Sequence, residues 1–287
     1  MTDTAELAAA RSFLFVPGNR PERFDKALQS GADAIVVDLE DSVPAAAKAA
    51  AREAIAGHWS ALTQQHVPLV LRINPADGAS GRQDLEWLAG LGAPAAVMVP
   101  KAESALSLSQ VAARLPGTAL LPLVESAAGY AGVDAIAGAP QVLRLVVGHI
   151  DFMADTGIRC TEGEPELLPL RFAVAIATRL HGLAPAVDGV TVAIDDDALL
   201  RADTRRALGL GFGAKLCIHP RQVAVVHAAL LPTDDEAAWA ERVVAADAAS
   251  GGAAVQLDGR MVDLPVVLQA RRTLARLGRK PGAEPGR

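Results

Sequence analysis

LLPLVESAAG (residues 120–129) and LRLVVGHID (residues 143–151) decide how this chain is read. In the first, Leu120, Leu121, Leu123 and Val124 make a short apolar strand that delivers Glu125 at its C-terminal end, with Ser126 placed to cap the following helix. In the second, the apolar run Leu143–Val147 leads to Gly148, His149, Ile150 and Asp151. One βα unit separates the two acids, so a parallel sheet would set them on neighbouring strand ends, roughly 5 Å apart laterally. Two hard oxygen ligands at the mouth of a sheet, with room for water and substrate, suit Mg²⁺. The alternative is that each acid only caps the helix after its strand.

Six further apolar runs flank this pair: Ser12–Val16, Ala34–Leu39, Leu69–Ile73, Ala95–Val99, a weaker Ala186–Val190, and Ala214–Ile218. Helical patterns alternate with them, among them Ala45–His58, residues 166–182 and Asp195–Leu210. Eight strands alternating with helices predict an α/β fold, a (β/α)8 TIM barrel. An open doubly wound sheet would want a glycine-rich phosphate turn after the first strand, and Pro17-Gly18-Asn19-Arg20-Pro21 is not one. Beyond Leu231-Pro232 the pattern changes to a helix over Thr233–Ser250, a Gly251-Gly252 break, a strand at Ala253–Leu257 and a helix over Pro265–Leu277. The expected organisation is a catalytic barrel over residues 1–232 and a short C-terminal helix-strand-helix arm over 233–278, packed on the barrel or on a neighbouring subunit. The tail over 279–287 is expected to be disordered.

Bulk properties narrow the function. The chain is 51% hydrophobic with only 3% aromatic residues, so its core must come from Val, Leu, Ile and Ala. A net charge of −6 argues against nucleic acid or an anionic membrane as a partner, and an anionic substrate would need a local cation. Cys160 and Cys217 show no C-x-x-C spacing and read as reduced thiols with no assigned chemistry. No apolar run reaches membrane-spanning length, and Asp3 and Glu6 stand where a signal peptide would carry positive charge. A cytoplasmic setting is expected.

In a barrel, strand ends converge on one mouth. Here they carry Arg20, Asp38, Glu40, Asp41, Arg72, Asn74, Lys101, Glu125, Asp151 and His219. Five carboxylates together repel unless some bind a cation, which is the physical case for a divalent metal. Arg72 offers a planar fork for a substrate carboxylate. Lys101 invites a Schiff-base reading, but the acids around it would keep it protonated. His149 and His219 read as hydrogen-bonded structural residues.

These residues carry a resemblance. Arg11–Arg52 (RSFLFVPGNRPERFDKALQSGADAIVVDLEDSVPAAAKAAAR), with LRINP, MVPKAES, PLVESAAG, GHIDFMADTG, GAKLCIHPRQV and LDGRMVDLP, resembles the HpcH/HpaI aldolase and citrate lyase beta-subunit (CitE-like) family in order, from about Arg11 to Leu277. The resemblance implies a TIM barrel that cleaves or forms C–C bonds of β-hydroxyacyl thioesters with Mg²⁺, as a homotrimer or hexamer. It implies Glu125 and Asp151 as metal ligands, Arg72 on the α-keto acid half, and Glu40 and Asp41 organising metal-bound water or Arg72. Asp263 matches an aspartate presented to a neighbouring subunit's site. Arg20, Arg23 and Lys26 are candidates for the CoA phosphates, against the alternative of a solvated helix face.

The expected reaction is retro-aldol cleavage, or its reverse, of a citryl-, malyl- or citramalyl-CoA-like thioester to an α-keto acid and an acetyl thioester. The alternatives are a class II aldolase acting on free hydroxy-keto acids and an acyl-carrier-dependent subunit of a citrate lyase complex. Two departures bear on the acyl group accepted. Gly148-His149-Ile150-Asp151 stands where many relatives read Gly-Ala-Glu-Asp, and Ser126-Ala127-Ala128-Gly129 where many read Thr-Ala-Arg-Gly.

Overall fold

A computed structural model describes residues 2–278; the tail expected to be disordered lies outside the described residues. The chain separates into two compact units, one running to Val226 and the second beginning at His227.

The first unit is a closed, all-parallel barrel of eight strands in sequence order. They are β1 (Ser12–Pro17), β2 (Ala34–Asp38), β3 (Leu69–Arg72), β4 (Ala96–Val99), β5 (Ala119–Val124), β6 (Val146–Val147), β7 (Val187–Asp188) and β8 (Ala214–Cys217). A parallel strand under a layer of helices is buried on both faces, and all five residues of β2 are buried. The inward face alternates with period two. Ala34 and Val36, Val70, Ala96 and Met98, Leu121 and Leu123, Val146, Val187, Ala214 and Leu216 fill the barrel interior. One step further along the same faces stand Asp38, Arg72 and Glu125. The polar mouth is therefore the continuation of an apolar plug.

The other end of the barrel is closed by the helix Thr2–Ala9. Leu7 and Ala10 join the interior cluster, and the buried Arg144 guanidinium donates to the carbonyls of Leu7 and Ala10, each at 2.8 Å. Strand β6 is shorter than the run Leu143–Val147 suggests. Gln141 takes a positive φ of 63°, which breaks regular pairing just upstream, although Leu143 N–H still donates to Leu120 O at 3.0 Å.

In the second unit the helix Asp234–Ala249 opens on a capping box between Thr233 and Glu236. The expected single strand proves to be a hairpin, β9 (Val255–Leu257) paired antiparallel with β10 (Arg260–Val262). Asp258 and Gly259 make its turn at φ 50° and 76°, the left-handed geometry a two-residue hairpin loop demands. The helix Leu264–Leu277 follows, and Val243, Val262, Val267 and Ala270 form this unit's own small core. Among the described residues no helix is long and apolar enough to cross a membrane.

Candidate active site

A cavity of about 750 Å³ opens at the C-terminal ends of the strands. Its walls are mainly apolar, from Leu14 and Phe15 through Leu123 to Leu216, and its charges are Arg23, Lys26, Asp38, Asp41, Arg72, Glu125 and Asp151.

On one side, β2 and β3 build a clamp. Register pairs Asp38 with Arg72, and the Arg72 fork closes on the Asp38 carboxylate through two bonds, Nε to Oδ1 and Nη2 to Oδ2, both 2.7 Å. The Asp38 oxygens also accept from the backbone N–H groups of Glu40 (2.8 Å) and Ser42 (3.1 Å). Burial works to raise the Asp38 pKa, but the bonds and charge of Arg72 outweigh it and hold the carboxyl below its ordinary range. The remaining nitrogen of the fork, Nη1, lies 2.8 Å from Glu40 Oε2 and 3.7 Å from Asp41 Oδ2. The Phe15 ring sits against the guanidinium, 4.8 Å from Cζ to the ring centroid. Glu40 stands behind Arg72, off the cavity wall. Burial, then the charges of Asp41 and Asp38, push its pKa up to about 7 against the pull of Arg72 and Lys101.

On the other side, β5 and β6 present Glu125 and Asp151. Glu125 is 2% exposed, and its Oε1 accepts the Lys101 backbone N–H at 2.7 Å. That N–H is aimed by a left-handed Lys101 backbone, φ 47°, a conformation that costs a non-glycine residue about 1 kcal/mol or more. Burial, with the charges of Glu40 and Asp151 adding, pushes the Glu125 pKa up to about 9. Gly148 is required beside it: a Cβ there would lie 2.5 Å from Glu125 Oε2 and 2.7 Å from its Cβ. Asp151 sits in the first turn of the helix His149–Thr156, half-buried on the cavity wall.

This side fits a hard divalent cation. Glu125 Oε2 accepts no hydrogen bond among the described residues, its carboxylate is short of positive charge, and both donors are oxygen. No group of three or more His, Cys, Asp or Glu side chains converges on a metal position among the described residues. Two carboxylates would therefore leave most coordination positions to water and substrate.

The structure sorts the remaining expected residues. Arg23 and Lys26 line the cavity, whereas Arg20 stands off its wall in an ion pair with Glu22. Lys101 Nζ lies 3.7 Å from Glu40 Oε1. Its burial is outweighed by the charges of Glu40 and Glu125, which raise its pKa, the opposite of what a Schiff-base lysine needs. Asp263 caps the helix Leu264–Leu277 in the second unit, accepting from Val266 N–H at 3.4 Å.

Two features were not read from the sequence. One is Asp38 as the anchor of Arg72, although its place two residues beyond Val36 on the inward face was a signal. The other is a buried ion cluster behind β7 and β8. Arg171 Nε bonds Asp188 Oδ1 at 2.9 Å, Lys215 Nζ bonds Asp188 Oδ2 at 3.1 Å, and Glu164 Oε2 accepts from Arg171 and Arg206 at 2.8 and 2.9 Å. Buried His149 faces this cluster, its Nε2 3.7 Å from Glu164 Oε1, and burial lowers its pKa.

The family model for HpcH/HpaI aldolase/citrate lyase matches residues 11–220. The chain is 37% identical over 279 residues to a citrate lyase subunit beta-like protein of Deinococcus radiodurans, covering 93% of this chain and 97% of that protein. It is 34% identical over 272 residues to a (3S)-malyl-CoA thioesterase of Cereibacter sphaeroides, covering 93% and 94%. Among solved structures it is similar to CitE of Mycobacterium tuberculosis in complex with magnesium, acetoacetate and coenzyme A. That likeness has a TM-score of 0.84 at 35% identity and covers 94% of this chain and 99% of that one.

Proposed function

Because the chain belongs to the HpcH/HpaI aldolase/citrate lyase family, we propose that it is a magnesium-dependent carbon–carbon lyase acting on a β-hydroxyacyl-CoA thioester, with an α-keto acid and an acetyl thioester as products. The observation that carries this reading is the pairing, in one apolar cavity, of under-satisfied Glu125 and Asp151 with an arginine whose orientation is already fixed.

Glu125 and Asp151 would hold the metal, which would supply Lewis-acid polarisation of the substrate's hydroxyl and carboxylate oxygens. The protein's own groups do the rest. Asp38 takes two nitrogens of Arg72, so the guanidinium is oriented before substrate arrives and needs no reorganisation to answer negative charge at the keto acid half. Glu40 and Asp41 hold the third nitrogen in place. As the C–C bond breaks, the hydroxyl gives its proton to solvent water, its carbon becomes the keto carbonyl and the bonding electrons pass into a thioester enolate. The apolar walls of Leu123, Val190 and Leu216 keep water away from that enolate. Arg23 and Lys26 are proposed to meet the CoA phosphates.

Asp263 is proposed to protonate the enolate in a neighbouring subunit's site. Asp263→Asn keeps the capping oxygen, so it should leave folding intact and lower kcat at least 100-fold. Mixing it with Glu125→Gln should recover activity in hybrid assemblies, and recovery in neither order would reject the assignment.

The name of the Cereibacter relative favours one second reading, thioester hydrolysis. A panel of citryl-, malyl- and citramalyl-CoA, each with Mg²⁺ and with EDTA, separates the two. Lyase action releases keto acid and acyl-CoA in equal amounts, and only with metal. Free CoA without keto acid would establish hydrolysis, and turnover unaffected by EDTA would reject the metal reading.

A further inference from the structure

A fully buried carboxylate outside the cavity, Asp84 of the helix Ala79–Leu91, is tied to the turn that carries the Arg72 clamp. Asp84 Oδ2 accepts from both nitrogens of Asn74, the backbone N–H at 2.8 Å and the side-chain amide at 2.7 Å. That amide has two hydrogens, and the second goes to the carbonyl of Leu39 at 3.1 Å. The carbonyl of Leu39 and the N–H of Glu40 belong to one peptide unit, which is planar and rigid. Holding its oxygen therefore aims its N–H, and that N–H donates to Asp38 Oδ1 at 2.8 Å. The same Oδ1 accepts from Arg72 Nε at 2.7 Å. An unbroken line of bonds thus runs from Asp84 through Asn74, one peptide plane and Asp38 to the guanidinium.

We propose that Asp84 is a positioning residue for Arg72: it fixes the Asn74 amide as a strut under the Leu39–Glu40 peptide, and so sets the angle at which the guanidinium faces the cavity. The inference rests on the lyase reading only for what Arg72 then binds. Asp84 has two faces, and they separate this role from general support of the fold. Its Oδ1 turns to the helix Lys48–Thr63, where Arg52 Nη1 donates at 2.8 Å, an ion pair that ties helix to helix. Its Oδ2 serves Asn74. A buried carboxylate costs free energy unless its charge and lone pairs are answered, so both faces contribute to stability. Only the Asn74 face leads to Arg72. Asn74 does not reach substrate itself, since it is 3% exposed and stands off the cavity wall. Lys48 Nζ donates to the same Leu39 oxygen at 2.9 Å, so loss of the strut loosens the peptide plane without freeing it.

The test compares variants that cut one face or the other. It is read by solvent exchange of the Arg72 Nε–H, by NMR of isotope-labelled, metal-free protein, with the signal assigned by its absence in Arg72→Lys. Asp84→Ala and the gentler Asn74→Ala cut the strut and should speed that exchange about 10-fold or more. Arg52→Ala cuts only the ion pair and should leave the exchange within about twofold, although it too lowers the melting temperature. Asp84→Asn should stay within about threefold of the wild type, because its amide oxygen still takes both Asn74 donors while Arg52 retains Gln83. Calorimetric titration with pyruvate, a small α-keto acid, at saturating Mg²⁺ reads the consequence for binding. Asn74→Ala should weaken pyruvate about 10-fold and leave the dissociation constant for Mg²⁺ within about twofold. A wild type that binds no pyruvate would count against the lyase reading alone, because the exchange rates need no ligand. Unchanged exchange in Asn74→Ala, or equal acceleration by Arg52→Ala, would overturn the proposal.

Discussion

At the ends of β2 and β3 the acids gather on one fixed cation: Asp38 closes on Arg72, and Glu40 and Asp41 share what remains of the same guanidinium. At the ends of β5 and β6 the acids outnumber their partners, and Glu125 has one backbone N–H and a glycine against its second oxygen. The two halves of one barrel mouth thus do different work. The β2–β3 half is finished by folding and presents a fixed cation. The β5–β6 half leaves Glu125 buried with a single backbone N–H partner and short of positive charge.

The sharpest way to break this contrast is to neutralise one acid on each side. Asp38→Asn leaves a buried guanidinium with half its partners gone, so it should cost about 3–5 kcal/mol of stability along with most activity. Glu125→Gln should abolish Mg²⁺-dependent turnover, by 1,000-fold or more. Yet it should stabilise the metal-free protein at pH 7 by on the order of 3 kcal/mol, because a carboxyl held near pKa 9 pays to stay protonated. Paired denaturation curves without metal decide it. Destabilisation by both variants would mean that Glu125 is structurally satisfied and that the two halves do not differ.

The carboxyl that Arg72 clamps and those that burial leaves short of positive charge predict opposite limbs of a stability-versus-pH curve. The folded-state pKa of Asp38 is depressed, so its stabilisation is present above the unfolded value of 3.8 and is lost as pH falls through the lower folded value. For Glu40 and Glu125 the folded values, about 7 and about 9, lie above the unfolded 4.5. Their contribution is complete below pH 4.5 and lost as pH rises through 7 and then 9, with a slope approaching about 1.4 kcal/mol per pH unit for each group. Mg²⁺ should flatten the alkaline limb and leave the acid limb where it is. Melting temperatures between pH 3 and 9.5, with magnesium and with EDTA, measure this.

The barrel was legible in the sequence because parallel strands buried on two faces write themselves as unbroken apolar runs, as Ala34–Val37 does. What escaped was backbone detail, such as Gln141 at positive φ cutting β6 short and the brief return strand Arg260–Val262. At the mouth, the acids could be read as a group because they end strands. Which one faces Arg72 could not be settled from DLED alone, since Asp38, Glu40 and Asp41 crowd one turn, and alternation singles out Asp38 only once the inward face is known. The cluster around Glu164 was invisible for another reason. Its members come from a loop, two helices and two strands, and nothing in their spacing links them.

The contrast between answered and unanswered charge extends to the cations at the rim, where the smallest effects are expected. Arg20 already has Glu22, whereas Arg23 and Lys26 line the cavity and form no ion pair among the described residues. If the rim meets a polyanionic carrier, the unanswered pair should do the binding. Exposed charge contacts are worth up to about 1 kcal/mol each, so Arg23→Ala and Lys26→Ala should each raise KM for a CoA thioester about 3- to 6-fold with kcat within twofold. That loss should shrink as salt is raised, because screening removes the same interaction. Arg20→Ala should change KM by less than twofold at any ionic strength. An equal loss at Arg20 would show that its pairing with Glu22 is given up when the thioester binds, and a rim cation's existing partner would then be no guide to its function.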